Sequence, residues 1–397
     1  MSFPKGVTWR EISLGVVGLV ALFGVLTFLS DPLMWRRYAG GLEPGSNDVY
    51  PTVEVVNPTV YELPHASATS PTLSADAARA AIERAAALDA DALIVVHKGA
   101  VQLEWYSDAA PPQLASQTMQ RGVLALLVGA AIADGAIKSV DESIGTWIKD
   151  WARDARGKIT IRQLLTMTSG LERRPFSHNP FSGNFRLYMA SDTTAILLET
   201  RLKAEPGTIF EDNDVNAELL GLVIERATSK RYGDYLNEKL WAPLGNRPAR
   251  LWVDRKGGRA HTSCCLFAVP MDWARIGTTL ANRGTIYGND IVRADWIDEM
   301  TSPSPLNPRY GYGVWLASPG AAEVPAGHAQ AEPFLAGDAF YMAGGNAQRV
   351  YMVPSENLAV VLMAASPSGD WDNAALLNTI IRGLTRRTAQ SLSVSTP

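Results

Sequence analysis

Cysteine is almost absent from this sequence: there are two among 397 residues, adjacent at Cys264 and Cys265. Two neighbouring thiols build neither a disulfide framework nor a zinc knuckle. They sit in CCLFAV beside a helix start, where small packing groups are a simpler reading than redox partners. Histidine is scarce too, and the five (His65, His97, His178, His261 and His328) show no metal-ligand spacing. No metal or organic cofactor is therefore expected. Neither charge is in large excess, with 36 Lys and Arg against 40 Asp and Glu, a net charge of −4. A nucleic-acid binder needs a basic face to neutralise phosphates, so no nucleic-acid partner is expected. No repeat recurs at periods of 20–50 residues, which removes solenoids and propellers.

What is present begins with apolar sequence. Hydrophobic residues make up 47% and charged residues 19%, which fits one large globular domain or two small ones. Residues 12–30, ISLGVVGLVALFGVLTFLS, carry no charge. At about 1.5 Å per residue they rise roughly 28 Å as a helix, enough to cross a bilayer core. The alternative is a cleaved signal peptide. The run is long for a signal core, and its exit, Thr27-Phe28-Leu29-Ser30-Asp31, lacks a small-residue cleavage site. Lys5 and Arg10 precede the run and Arg36 and Arg37 follow it, so flanking charge barely sets orientation. A short N-terminus before a large C-terminal domain favours export of the domain. The expected organisation is a cytoplasmic stub at 1–11, a transmembrane anchor at 12–30 and a Pro/Gly-rich stalk at 31–73. The stalk either lies over the domain or spaces it from the membrane. A folded domain follows at 74–387, with a flexible tail at 388–397. The expected location is a bacterial inner membrane, crossed once, with the domain facing the periplasm.

Within the domain, SADAARAAIERAAAL (74–88) reads as a helix capped by Ser74. ALIVVHKGAVQLEWYSD reads as a hairpin turning at Lys98-Gly99. AFYMAGG (339–345) and RVYMVPSENLAVVLMAA (349–365) read as strands, and a helix after Asp372 closes the domain. Gln117 to Gly135 reads as a helix apolar around most of its circumference, and so buried. The sheet is therefore assembled from both ends of the chain around a helical insertion. The expected class is α+β and two-lobed: an antiparallel sheet covered by helices plus a mainly helical lobe, preceded by one transmembrane helix. The cleft between lobes is the expected ligand site.

Several blocks carry a resemblance. VLALLVGAAIADGAIKSVDESIGTWI, ITIRQLLTMTSGLE, PGTIFEDNDVNAELLGLVIERATSKRYGDYLNEKLWAPLG, CCLFAVPMDWARIGTTLANRG and YGYGVWL occur in that order. With GGNAQRVYMVP, they resemble the serine β-lactamase and penicillin-binding-protein superfamily over about residues 75–385. The likeness is to the class C branch, with its esterases and 6-aminohexanoate-dimer hydrolases. The resemblance implies ester or amide hydrolysis through an acyl-enzyme. It also implies three elements: S-x-x-K on the first turn of the buried helix, Y-x-N, and a Gly-containing strand motif that helps form the oxyanion hole.

This sequence departs from the first two. The VLALLVG block puts the Ser position on Thr118 and the Lys position on Arg121, and the NAELLG block puts Tyr on Asp212 and Asn on Asp214. The third element falls near Gly344-Gly345-Asn346, and His178 is a further cleft residue. Arginine stays protonated and cannot serve as the base. Threonine keeps a hydroxyl, but a threonine nucleophile needs a base beside it. One arrangement pairs Arg121 with Asp212 or Asp214 across the cleft; the other leaves both carboxylates solvated. A shift of register onto Ser116 would put Met119, which has no basic group, at the Lys position. The leading expectation is a membrane-anchored, weakly active or inactive member that binds a small amide, an ester, a peptide or a protein partner. One rival is a working hydrolase using Thr118 or an Asp-activated water. The other is a structural membrane-assembly partner.

Overall fold

The computed structural model describes residues 9–40, 52–55, 59–173, 177–317, 332–345, 347–365 and 372–385. Asn346 and the tail 388–397 lie outside the described residues. The helices are α1 (Trp9–Ser30), α2 (Pro32–Ala39), α3 (Ala75–Ala86), α4 (Gln120–Ala133), α5 (Ile161–Leu165), α6 (Gly183–Met189), α7 (Thr193–Leu198), α8 (Asp214–Thr228), α9 (Tyr232–Leu236), α10 (Pro270–Ala281), α11 (Ala294–Met300) and α12 (Ala375–Gly383). The strands are β1 (Thr52–Val55), β2 (Ala92–His97), β3 (Ala100–Tyr106), β4 (Leu114–Ala115), β5 (Ala249–Trp252), β6 (Leu266–Ala268), β7 (Thr285–Ile286), β8 (Asn289–Asp290), β9 (Trp315–Leu316), β10 (Phe340–Ala343), β11 (Arg349–Val353) and β12 (Leu358–Met363).

The larger sheet is antiparallel throughout, in the order β3-β2-β12-β11-β10-β9. It is built from both ends of the chain because β2 pairs with β12, Ala92 opposite Met363. Strand alternation divides β2 between two cores. Leu93 and Val95 pack with Ala81 and Ala85 of α3 and with Leu377 and Ile380 of α12. Ile94 and Val96 join the core that holds Trp273, Ile276 and Leu280 of α10. Both faces are covered, which is why these strands read as continuous apolar runs. At the hairpin, Lys98 and Gly99 both take positive φ, as a tight two-residue turn requires.

The helical lobe centres on α4, whose Val123, Leu124, Ala125, Leu127 and Val128 are fully buried. Helix α8 packs against it. Asn213 caps α8 by accepting from the Val215 N–H at 3.1 Å, which fixes where the first turn of α8 begins. One turn later the buried Glu218 fastens α8 to the segment before β6. It accepts from the Thr262 and Ser263 N–H groups, each at 3.0 Å, from Ser263 Oγ at 2.8 Å and from Arg259 at 3.1 Å.

The described parts of 31–73 lie against the domain. Helix α2 docks through the buried Met34 and Arg37, and β1 pairs with β5 in a second sheet ordered β1-β5-β6-β4. Tyr61 N–H bonds Gly245 O at 3.0 Å and Ala66 N–H bonds Val101 O at 2.9 Å. Helix α1 is long and apolar enough to cross a membrane. Cys264 and Cys265 are small buried packing groups, and in addition their sulfurs are bonded to each other. The pair is buried among Met34, Phe185, Tyr188, Met189, Trp252 and Phe267.

Burial opposes the charge on Glu218, but His261, Arg259 and the Ser263 N–H outweigh it and bring its pKa down from 4.5 to about 2. A depressed carboxylate contributes stability that is present above its unfolded pKa and lost as pH falls through its folded one. Denaturant unfolding should therefore show about 3 kcal/mol of acid-labile stability disappearing between about pH 4.5 and pH 2. In Glu218→Gln the dependence over that window should be correspondingly shallower, and an unchanged slope would assign the loss to other groups.

Candidate active site

Three elements converge on the cleft: the turn that leads into α4, the first turn of α8 and the end of β10. The turn is a short 3₁₀ segment, Gln117–Met119, that passes directly into α4. Ser116 fastens it to the smaller sheet. Its N–H bonds Leu266 O at 2.8 Å, and its hydroxyl accepts from the Leu266 N–H at 3.2 Å and donates to Gln117 O at 3.0 Å. Ser116 is fully buried, so its hydroxyl ties backbone to backbone. Beside it, Gln117 takes the left-handed conformation, with φ +49°. A Cβ on Gly344 would stand 2.6 Å from Ser116 O, so only glycine lets β10 end this close to the turn.

Strand β9 pairs with Phe340 and Tyr341 of β10. The end of β10 beyond them turns to the helix instead, and Ala343 O accepts from Thr118 Oγ1 at 3.0 Å. The hydroxyl proton of Thr118 is thus aimed at an amide carbonyl, which accepts hydrogen bonds but not protons.

Arg121 lies one turn further on, its side chain 8% exposed. Its guanidinium spans two carboxylates: Nη1 reaches Asp212 at 2.5 Å and Nη2 reaches Asp214 at 2.7 Å. Burial works against the charge, but Asp212 and Asp214 together outweigh it and hold the Arg121 pKa well above its ordinary value. The second oxygen of Asp214 accepts from the Tyr188 hydroxyl at 2.8 Å. Burial and the adjacent Asp214 charge both raise the Tyr188 pKa well above the phenol range. Burial likewise raises Tyr310, whose ring is fully enclosed near Arg121. Its loop is held against α4 at Gly313, where a Cβ would meet Arg121 O at 2.4 Å and φ is +66°.

The structure therefore brings Arg121, Asp212 and Asp214 together directly, places Thr118 three residues before Arg121 on the turn that leads into α4, and sets Gly344 and Gly345 beside Gln117. His178 is exposed on the loop before α6. Tyr188 is the functional neighbour that the motifs did not reveal; it belongs to LYMA on α6, far from any of them. Tyr310 had a signal, since it opens the YGYGVWL block. Thr118 Oγ1 donates to Ala343 O, and Arg121, three residues on, is held charged between Asp212 and Asp214.

Comparison with known proteins comes to the same fold. The family profile described as Beta-lactamase matches residues 78–382. A 6-aminohexanoate-dimer hydrolase of Paenarthrobacter ureafaciens is 24% identical over 228 residues, covering 53% of this chain and 56% of the relative. The chain thus spans about half the length of that curated relative. A Bacillus anthracis protein assigned as a 6-aminohexanoate-dimer hydrolase superposes with a TM-score of 0.66 at 20% identity, covering 84% of this chain and 89% of that one. A family VIII carboxylesterase superposes with a TM-score of 0.58 at 17% identity, covering 78% and 96%. The shared architecture is the mixed α/β fold of β-lactamases and penicillin-binding proteins.

Removing the guanidinium while keeping its bulk would leave two carboxylates facing each other. Their partial exposure, 39% for Asp212 and 26% for Asp214, tempers the cost relative to a fully buried pair. Arg121→Met should destabilise by about 2–4 kcal/mol, and Tyr188→Phe by about 1 kcal/mol. Denaturant midpoints would measure both, and a neutral Arg121→Met would mean that the pairing contributes nothing to the fold.

Proposed function

We propose that this chain, which belongs to the Beta-lactamase family, is a membrane-anchored member whose cleft binds an ester, an amide or a peptide without hydrolysing it efficiently. The family carries out serine-hydrolase-type ester and amide hydrolysis. One observation carries the departure from it: a permanently charged, doubly ion-paired Arg121 stands where the family's resemblance implies a proton-accepting lysine. A lysine can be tuned toward neutrality and act as base; a guanidinium held between two carboxylates cannot. The Thr118 hydroxyl is left with a carbonyl as its acceptor. Loss of a general base typically removes about 10²–10⁴ in rate. The persistence of the cleft's framework, with the Gly344 close approach and the capped α8, supports a retained binding role.

The anchored reading is supported by α1, whose stretch Ser13–Ser30 has a mean hydropathy of 2.2. The bonded cysteine pair suits an oxidising compartment such as the periplasm, since thiols in the cytosol are kept reduced. A second reading has one observation in its favour. Asp212 is 39% exposed and, among the described residues, its Oδ2 takes no hydrogen bond, leaving an oxygen that could activate a water.

Purified full-length chain in detergent should hydrolyse p-nitrophenyl acetate no faster than its own Thr118→Ala variant. Turnover lost in Thr118→Ala would overturn the silent-cleft reading; turnover lost only in Asp212→Asn would establish the water route. The triple variant Thr118→Ser, Arg121→Lys, Asp212→Tyr should gain at least about tenfold over the parent, because it restores a nucleophile, a base and a phenol together.

A further inference from the structure

Helix α2 is fixed to the folded domain. Arg37 is 2% exposed, and its guanidinium donates to Met189 O at 2.8 Å, Ala190 O at 3.3 Å and Asp254 O at 2.8 Å. Asp31 caps α2 by accepting from the Met34 N–H at 3.0 Å, and its other oxygen accepts from the Ser191 N–H at 2.8 Å. Asp31 is also the single residue between α1 and α2. Across that break Trp35 Nε1 donates back to Thr27 O at 2.7 Å, tying the last turn of α1 to α2. The end of the apolar helix is therefore bonded to the helix that docks on α6.

At this junction aromatic rings collect. Trp35 meets Phe181 with centroids 5.6 Å apart and Tyr38 at 5.7 Å, and Tyr38 meets Phe185 at 5.6 Å. Two of the rings face outward: Phe181 is 59% and Tyr38 44% exposed. The interfacial layer on each side of a bilayer core is roughly 5–8 Å deep. The Trp35 ring bonds the last turn of α1 and Phe181 is one ring contact further, so both fall within about that depth. Aromatic side chains concentrate at this level because the apolar ring and the polar edge are both solvated there.

We infer that Trp35, Tyr38 and Phe181 bed into the headgroup layer of the membrane that α1 crosses, so that the domain is held flush on the bilayer. The α6 wall of the cleft, which carries Tyr188, is then its membrane-proximal wall. This rests on the reading of α1 as a membrane span. The partner is the lipid surface itself, committed to by its continuity with α1.

The test uses the full chain in lipid nanodiscs, with an environment-sensitive fluorophore on single introduced cysteines. The native pair is bonded and buried, so it does not compete for label. Probes go at Phe181→Cys, at Leu22→Cys in α1 and at Glu83→Cys on α3, which packs on the opposite side of the larger sheet. Nitroxide lipids should quench the probe at 181 most strongly when the nitroxide is shallow, the probe at 22 when it is deep, and the probe at 83 at neither depth. Arg37→Leu should remove the quenching at 181 and leave that at 22. Quenching at 22 without quenching at 181 overturns the inference while the span stands. Absence of quenching at 22 overturns the span, and the inference with it.

Discussion

The candidate site depends on one guanidinium shared between two carboxylates. Arg121 comes from the helix that should carry a base, and Asp212 and Asp214 come from the capped start of the helix packed against it. A fork with donors on two nitrogens can satisfy both anions at once, which a point charge on a flexible stem cannot do with the same geometry. The charge cannot leave, because both of its partners disfavour its neutral form. The pairing therefore closes the interface between two helices and, in the same act, keeps the group three residues from the Thr118 hydroxyl charged.

The surrounding structure is organised to keep that fork in place. Asn213 fixes the start of α8, Glu218 fixes its next turn, and Tyr188 holds the outer oxygen of Asp214. From Arg121 through Asp214 to Tyr188, the Nη2 and phenol donors meet the two oxygens of one carboxylate. Such a chain is rigid because each member is costly to leave unpaired. Tyr188 also sits in the small apolar cluster with Met34 and the bonded cysteines, so the same tyrosine touches both the site and the seat of α2.

Much of this was legible in the sequence because the blocks on either side of the site are strongly patterned. VLALLVG and NAELLG fix their helices by burial, and counting from them places Thr118, Arg121, Asp212 and Asp214 without any contact information. The hairpin at Lys98-Gly99 and the two-ended sheet follow from strand length and turn chemistry. What stayed hidden depends on contacts distant along the chain. Tyr188 reaches Asp214 from a helix with no motif of its own. Arg37 looked like a charge flanking an apolar run, yet its partners are carbonyls more than 150 positions away. The region 31–73 reads as linker because it is rich in Pro, Gly, Ser and Asn, although Met34 and Arg37 within it are buried against the domain. Adjacent cysteines read as filler because sequence alone does not say whether two neighbouring sulfurs are joined.

The shared fork also makes its members unequal. One positive charge faces two negative ones, so replacing Arg121 by a neutral residue leaves two like charges together, whereas replacing either aspartate leaves a one-to-one pair. Loss of the arginine is therefore the costly single change, and loss of one acid the cheaper one. Stability alone therefore holds the arginine more firmly than either acid, whether or not the cleft has a task.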